Sequence, residues 1–356
     1  MRSNHLFDPA NYPAVVGENT PGRSAPVNRV LGLRHGSDMP HGRVLILDLD
    51  STLTDTRPWF AGIILSLMSQ LAEQLRLPPA EVHAAYADIA RKTTLHEYAY
   101  LVEAIASRLQ AHRNCSFQDI AAAAEDFWQA FGHHHAAIQL YPGVIETLRL
   151  VRERHSDMKI IILTDSPDWV AIERLRLVGI LHLVDGVVSI RSEEPRLRNF
   201  GYRPLIQDTT RRLRGRHQGS EHLSINLSLP AAYCKPSPAG IELILNRLGL
   251  PNPELVVICG DRETKEGLAA LNWRLSRTLR GLSAESMHYV RALYGQSDYD
   301  HPKYAHLASQ ISSLAISPTP KDFGCSIGAD LNCFADLIEA IDYLPACRYR
   351  RRAIAS

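Results

Sequence analysis

The chain has 356 residues, 45% of them hydrophobic, which is enough to bury a sizeable core and to form more than one structural unit. Its 39 lysines and arginines against 38 acids give a net charge of +1, excluding both a globally basic nucleic-acid binder and a strongly acidic, solvating chain. Six cysteines lie far apart, with no CxxC pair and no zinc-site alternation with histidine, so they read as reduced thiols.

In chain order, residues 1–42 come first and read as an extended or poorly ordered leader, because Pro9, Pro13, Pro21, Pro26 and Pro40 interrupt any helix. They lack the apolar stretch of a signal peptide, and no apolar run elsewhere reaches bilayer length. The expectation is a cytoplasmic protein with no membrane segment. A globular core begins at Arg43. Three wholly apolar runs, Val44–Leu47, Ile160–Leu163 and Leu255–Cys259, each end in polar residues, as buried parallel strands do.

Between these runs lie helix signals. Ser166-Pro167 opens one helix, with Ser166 as N-cap, and Gly179 ends it; Ser237-Pro238 opens another that closes at Gly249. Pro142-Gly143 precedes a third, whose Val144, Leu148 and Val151 share a face. The pattern predicts an α/β fold: a Rossmann-like, doubly wound parallel sheet that binds ligand beyond the carboxyl ends of its strands. From Pro58 to Leu140 no strand-like run occurs, and Leu, Ala, Glu and Gln dominate. Four helices are expected near 59–76, 79–91, 95–112 and 116–135, forming an all-helical cap at 58–140 inserted after the first strand. The core then comprises 43–57, 141–273 and about 323–346.

The first apolar run leads into Asp48-Leu49-Asp50-Ser51-Thr52-Leu53-Thr54-Asp55. Residues two apart at a strand end point to the same side, so the Asp48 and Asp50 carboxylates can face one ligand. Held that close, they favour a bound cation or a shared proton.

The segment Asp48-Leu49-Asp50-Ser51-Thr52-Leu53 resembles the first motif of the haloacid dehalogenase-like phosphatases, and three further motifs follow in order. Thr164 follows the second apolar run, Lys235 stands just ahead of the Ser237-Pro238 helix start, and Gly260-Asp261 follows the third run. The resemblance covers residues 43–273 and implies a role for each. Asp48 is the nucleophile that forms an aspartyl-phosphate, and Asp50 is the general acid and base. Thr164 and Lys235 bind phosphate oxygens. Magnesium is held by Asp48, Asp261 and the backbone carbonyl of Asp50. Glu266 is the outer-sphere acid that orients metal-bound water or Lys235, although Glu263 competes for that place. Ser51 stands where relatives most often carry glycine. An aspartate at position 50 fits protonation of an alkoxide leaving group, which favours a phosphate ester or a mutase over a dehalogenase.

Other features stay open at this level. Arg91, Lys92 and His96, at an expected bend in the helical block, either reach the non-phosphate part of a substrate or form an ordinary charged loop. His133-His134-His135 cannot converge on one ion from consecutive helix positions and reads as a solvated helix end. From Arg191 to Glu221 there are eight arginines and four acids. This insertion, at about 191–222, reads as a solvated loop, with a flap over the site or a subunit contact as alternatives. Residues 274–322 read as an addition to the core. The expected function is magnesium-dependent hydrolysis of a small phosphorylated metabolite. Rivals are a phosphomutase, a nucleic-acid end phosphatase, for which the overall charge gives no support, and a non-catalytic assembly or regulatory protein. Composition leaves the oligomeric state open.

Overall fold

The computed structural model describes residues 42–93, 95–196, 200–214, 222–295 and 327–344. The leader expected at 1–42 therefore lies outside the described residues, apart from Gly42.

The chain opens with β1 (Arg43–Leu47) and the short β2 (Thr54–Asp55), then four helices, α1 (Arg57–Gln74), α2 (Pro79–Thr93), α3 (Leu101–Arg108) and α4 (Phe117–His135). After β3 (Gln139–Leu140) come α5 (Val144–Arg154), β4 (Met158–Pro167), α6 (Asp168–Leu177), β5 (Gly186–Ile190), α7 (Arg203–Arg214) and β6 (Ile225–Leu229). The last elements are α8 (Ala239–Arg247), β7 (Leu255–Gly260), α9 (Leu268–Leu279), β8 (Met287–Ala292), β9 (Ile327–Leu331) and α10 (Leu337–Tyr343).

Seven strands form one parallel sheet in the order β6-β5-β4-β1-β7-β8-β9. The register pairs Leu47 with Ile162 on one side and with Cys259 on the other. Every residue of β1 is buried, and alternate side chains divide between the two faces. Leu45 and Leu47 join a core with Val144 and Leu148 of α5, Leu175 of α6 and Ile341 of α10. Val44 and Ile46 join the opposite core with Ile244 of α8 and Trp273 of α9. That second core continues without a break into the helical block through Met68, Val102 and Phe131. Burial on both faces explains why β1 and β7 read as unbroken apolar runs rather than alternating ones.

The helical block is tied at its root by a ribbon in which Thr54 pairs with Leu140 and Asp55 with Gln139. The chain thus leaves the sheet and returns to it side by side. The helix α4 starts at a capping box: Ser116 Oγ accepts from the Asp119 N–H, and the Asp119 carboxylate accepts from the Ser116 N–H.

Several expectations need correction. The third helix covers only 101–108 rather than 95–112, because residues 95–100 form turns in which every side chain except that of His96 is buried. The Ser166-Pro167 pair does not cap α6; β4 continues to Pro167, which itself occupies the N-cap position. Residues 274–322 are not simply an addition: α9 extends through 279, and β8 is a full member of the sheet. Residues 296–326 lie outside the described part. Within the arginine-rich insertion, 203–214 form α7, and Tyr202, Ile206 and Thr209 are buried against the helical block rather than solvated. Among the described residues, Cys115, Cys234, Cys259 and Cys333 are free thiols, and no helix is long and apolar enough to cross a membrane.

Candidate active site

Because β1 has β4 on one side and β7 on the other, its carboxyl end is the point where the sheet order reverses, leaving a crevice for ligand. The Asp48 N–H donates to the Cys259 carbonyl at 2.9 Å, so the β-ladder extends one residue past β1 and fixes Asp48 beside Gly260 and Asp261. The chain then turns tightly. Ser51 takes φ +61, its N–H donates to the Thr54 carbonyl, and the Thr54 N–H donates to the Leu49 carbonyl. This left-handed position is where the glycine of the resembling motif costs least.

Lys235 reaches this rim from the segment ahead of α8. Its Nζ donates to Asp48 Oδ1 at 2.6 Å and to the Leu163 carbonyl at 3.2 Å, and lies 2.5 Å from Glu266 Oε1. Its backbone N–H donates to Asp165 Oδ1, while Asp165 Oδ2 accepts from Lys265 Nζ at 2.6 Å. Burial works against the Lys235 charge, but Asp48, Glu266 and Asp165 outweigh it and hold the ammonium above the usual lysine range.

Asp48, Asp261 and Glu266 are all buried, and one oxygen from each lies within 4.8 Å of the other two. Burial, with Glu266 nearby, pushes Asp48 up to about 7, and the same two causes raise Asp261 well above the ordinary carboxylate range. The buried Lys235 ammonium and the half-exposed Arg262, 3.6 Å from Asp261, do not neutralise three buried carboxylates, so this donor set fits a hard divalent cation such as magnesium. Glu266, expected to act from outside, thus belongs to the same oxygen cluster while also contacting Lys235. Gly260 makes room for it: a Cβ there would stand 2.2 Å from Glu266 Cγ. Gly295 does likewise on the other side, where a Cβ would meet the Ser51 carbonyl oxygen at 2.0 Å.

The Asp50 carboxylate points elsewhere. Its Oδ1 accepts from Arg174 Nη1 at 2.6 Å and Thr54 Oγ1 at 3.3 Å, and its Oδ2 accepts from Ser166 Oγ at 2.6 Å. Arg174, on α6, is fully buried and also pairs with Glu97 of the helical block; its Nε donates to His135 Nε2 at 2.6 Å. Thr164 is buried with its Oγ1 accepting the Ser166 N–H at 3.1 Å. The sequence reading missed Arg174, Glu97 and Ser166, and it placed His135 in solvent. His135 is buried, unlike its exposed neighbours His133 and His134. The one available signal was the heptad-like return of Trp128, Phe131 and His135 to one face of α4.

His96 lies close enough to Lys265 and Arg262 that, after burial, their charges are what lower its pKa; its edge remains accessible, and Nδ1 contacts the Tyr86 hydroxyl at 3.1 Å. That places His96 above the loop after β7. Arg91 and Lys92 instead pair with Asp88 on their own helix, at 2.5 and 2.8 Å. A cavity of about 240 Å³ between α3, α4 and α7 shares none of the rim residues.

A doubly wound sheet thus carries an acid–lysine cluster at its switch point, with a helical block between β1 and the next sheet strand. Residues 43–205 match the family model for haloacid dehalogenase-like hydrolases. Phosphoglycolate phosphatase 1 of Pseudomonas aeruginosa is 25% identical over 126 residues, which are 35% of this chain and 42% of that protein. The chain therefore matches less than half the length of this curated relative. Among solved structures, a predicted phosphoglycolate phosphatase from Haemophilus somnus aligns with TM-score 0.45 and 15% identity, over 85% of this chain and 99% of that one. A HAD phosphatase from Thermococcus onnurineus aligns with TM-score 0.44 and 13% identity, over 84% and 97%.

Proposed function

We propose that the protein hydrolyses a phosphomonoester of a small metabolite in a magnesium-dependent reaction with Asp48 as nucleophile. The observation that carries this reading is the convergence of Asp48, Lys235, Asp261 and Glu266 at one strand rim within a buried cluster. When bound by Asp48 and Asp261, with Glu266 beside them and the Asp50 backbone carbonyl completing the expected set, magnesium supplies positive charge that lets a phosphate approach carboxylates.

Lys235 fixes Asp48 Oδ1, leaving Oδ2 as the attacking oxygen. A bond forms from Oδ2 to phosphorus while the ester P–O bond breaks, and Asp50 gives its proton to the departing alkoxide. Asp50 then takes a proton from water; the hydroxide oxygen bonds to phosphorus, the aspartyl P–O bond breaks, and phosphate leaves. Lys235 and Thr164 hold the non-reacting phosphoryl oxygens, and the helical block acts as a cap that keeps bulk water from the first step. His96, over the rim, is the substrate contact favoured among the three candidates in the block; Arg91 and Lys92, committed to Asp88, are less suited.

The test is a panel of phosphorylated metabolites, including 2-phosphoglycolate, assayed for released phosphate with magnesium, beside Asp48→Asn and Asp50→Asn. At least one ester should be hydrolysed, with a loss of at least about a hundredfold in both variants. Full turnover by Asp48→Asn would overturn the mechanism. Isomerised sugar phosphate without free phosphate would assign a mutase instead.

A further inference from the structure

Asp50 is the residue on which leaving-group protonation depends in the reading above, yet its strongest partner lies neither on the rim loops nor in the acid cluster. That partner is Arg174, seven residues into α6 and 1% exposed. A fully buried guanidinium is costly to desolvate unless its donors are satisfied, and here each of its three nitrogens has a partner. Nη1 serves Asp50 and the Ser166 hydroxyl, at 2.6 and 3.3 Å; Nη2 serves Glu97; Nε serves His135 at 2.6 Å.

These partners come from two different parts of the fold. Asp50 and Ser166 are on the sheet rim, while Glu97 lies in the turn between α2 and α3, and His135 ends α4. Neighbouring contacts follow the same seam: the Tyr98 hydroxyl donates to the Glu193 carbonyl at 2.6 Å, and Trp128 of α4 meets Trp169 of α6 edge to face at 5.0 Å between centroids. Ser166 spans the seam as well, with its Oγ 3.4 Å from Glu97 Oε2 and 2.6 Å from Asp50 Oδ2. The guanidinium is therefore a rigid fork with one tine on Asp50 and the others on the helical block.

We propose that Arg174 is a positioning residue that orients the Asp50 carboxylate and is itself held by Glu97 and His135, so that Asp50 keeps its place only while the helical block is seated on the rim. This rests on the proposed phosphatase chemistry. The block then completes the proton-transfer geometry as well as covering it. Moving the block away withdraws Glu97 and His135, two of the fork's four partners, leaving Asp50 with the Thr54 and Ser166 hydroxyls and a mobile arginine. Proton transfer to a basic alkoxide leaving group requires hydrogen-bond geometry that such a carboxylate holds only part of the time.

The test compares kcat/KM for an alkyl phosphate accepted by the wild type with kcat/KM for p-nitrophenyl phosphate, in Arg174→Met, Glu97→Gln and Asp50→Asn. Because kcat/KM reports steps through the first phosphoryl transfer, it senses proton delivery to the alkoxide, which nitrophenolate does not need. Arg174→Met should lose at least about tenfold more on the alkyl ester than on the aryl ester, with Asp50→Asn showing the same signature more strongly. Glu97→Gln should move the ratio in the same direction but less. A parallel loss on both esters would reduce Arg174 to a structural ion pair and overturn the proposal. If Arg174→Met does not accumulate as folded protein, Arg174→Lys carries the same comparison, since a single ammonium cannot serve Asp50 and Glu97 together. A wild type inactive on every ester would instead overturn the phosphatase reading, and the positioning role with it.

Discussion

At Ser51 a single backbone angle records a conflict between local preference and site geometry. The residue adopts φ +61 so that the chain can reverse beside Asp48, and its carbonyl oxygen packs against Gly295. A left-handed serine costs about 1–2 kcal/mol, part of which glycine would return to the unfolded chain as added freedom. Ser51→Gly should therefore raise stability by about 0.5–1 kcal/mol, read from the urea midpoint, with the rim chemistry intact. Position 260 shows the opposite constraint. Alanine there would drive its Cβ into the Glu266 side chain, displacing that carboxylate from Lys235 and from the Arg262 N–H it accepts at 3.2 Å. Gly260→Ala should cost about 1–3 kcal/mol as an overpacked site and lower any phosphatase activity at least tenfold, about the cost of 1.4 kcal/mol in transition-state stabilisation.

Between elements, the contact of α3 with α7 buries Glu103 completely, with Thr209 donating to it. Burial raises the Glu103 carboxyl above its ordinary value. Below the pKa of the unfolded chain, both folded and unfolded states hold the proton, and the group has no effect on stability. Above it the unfolded chain ionises first, so stability falls as pH rises toward the folded value. Glu103→Gln should accordingly stabilise the protein more at pH 8 than at pH 4, as followed by urea denaturation at both; an equal gain at both would show that the carboxyl is not desolvated. The same contact explains why the arginine-rich stretch resisted reading. Its composition is that of a solvated loop, but Tyr202, Ile206 and Thr209 recur on one face and meet the helical block, a partner far away in sequence. Strand β8 escaped notice for a related reason: its half-buried pattern, with His288 and Arg291 partly exposed, lacks the unbroken apolar run of the central strands.

For the molecule as a whole, the unbalanced acids at the rim make metal occupancy a stability variable. Magnesium that binds the folded chain alone should raise its stability by about 2.7 kcal/mol at a hundred times Kd. Thermal melts with magnesium against EDTA should show the shift, and Asp261→Asn should lose it; an unchanged melt in the native chain would count against magnesium at this site. Much of the rim could be read in the sequence because its parts are local. The first and third apolar runs stop at or one residue before the ends of β1 and β7, with Asp48 and Asp261 directly beyond those strands, because a buried strand cannot carry unpaired charge along its length, while Thr164 follows the second run inside β4. The helical character of the stretch after β2 was equally legible, since the loss of strand pattern between 58 and 140 is a property of composition.

The fork around Arg174 was not legible, because Arg174 lies 124 residues from Asp50, 77 from Glu97 and 39 from His135, and no periodicity relates those separations. The sequence alone determined which strands carry acids and in what order those acids appear. The tertiary structure decided which charges meet, turning Asp50 toward Arg174 and drawing Glu266 into the acid cluster. The physical reason is that desolvated charges are paired across the packed interior by whichever elements the cores bring together, and that packing is specified by no one segment of the chain.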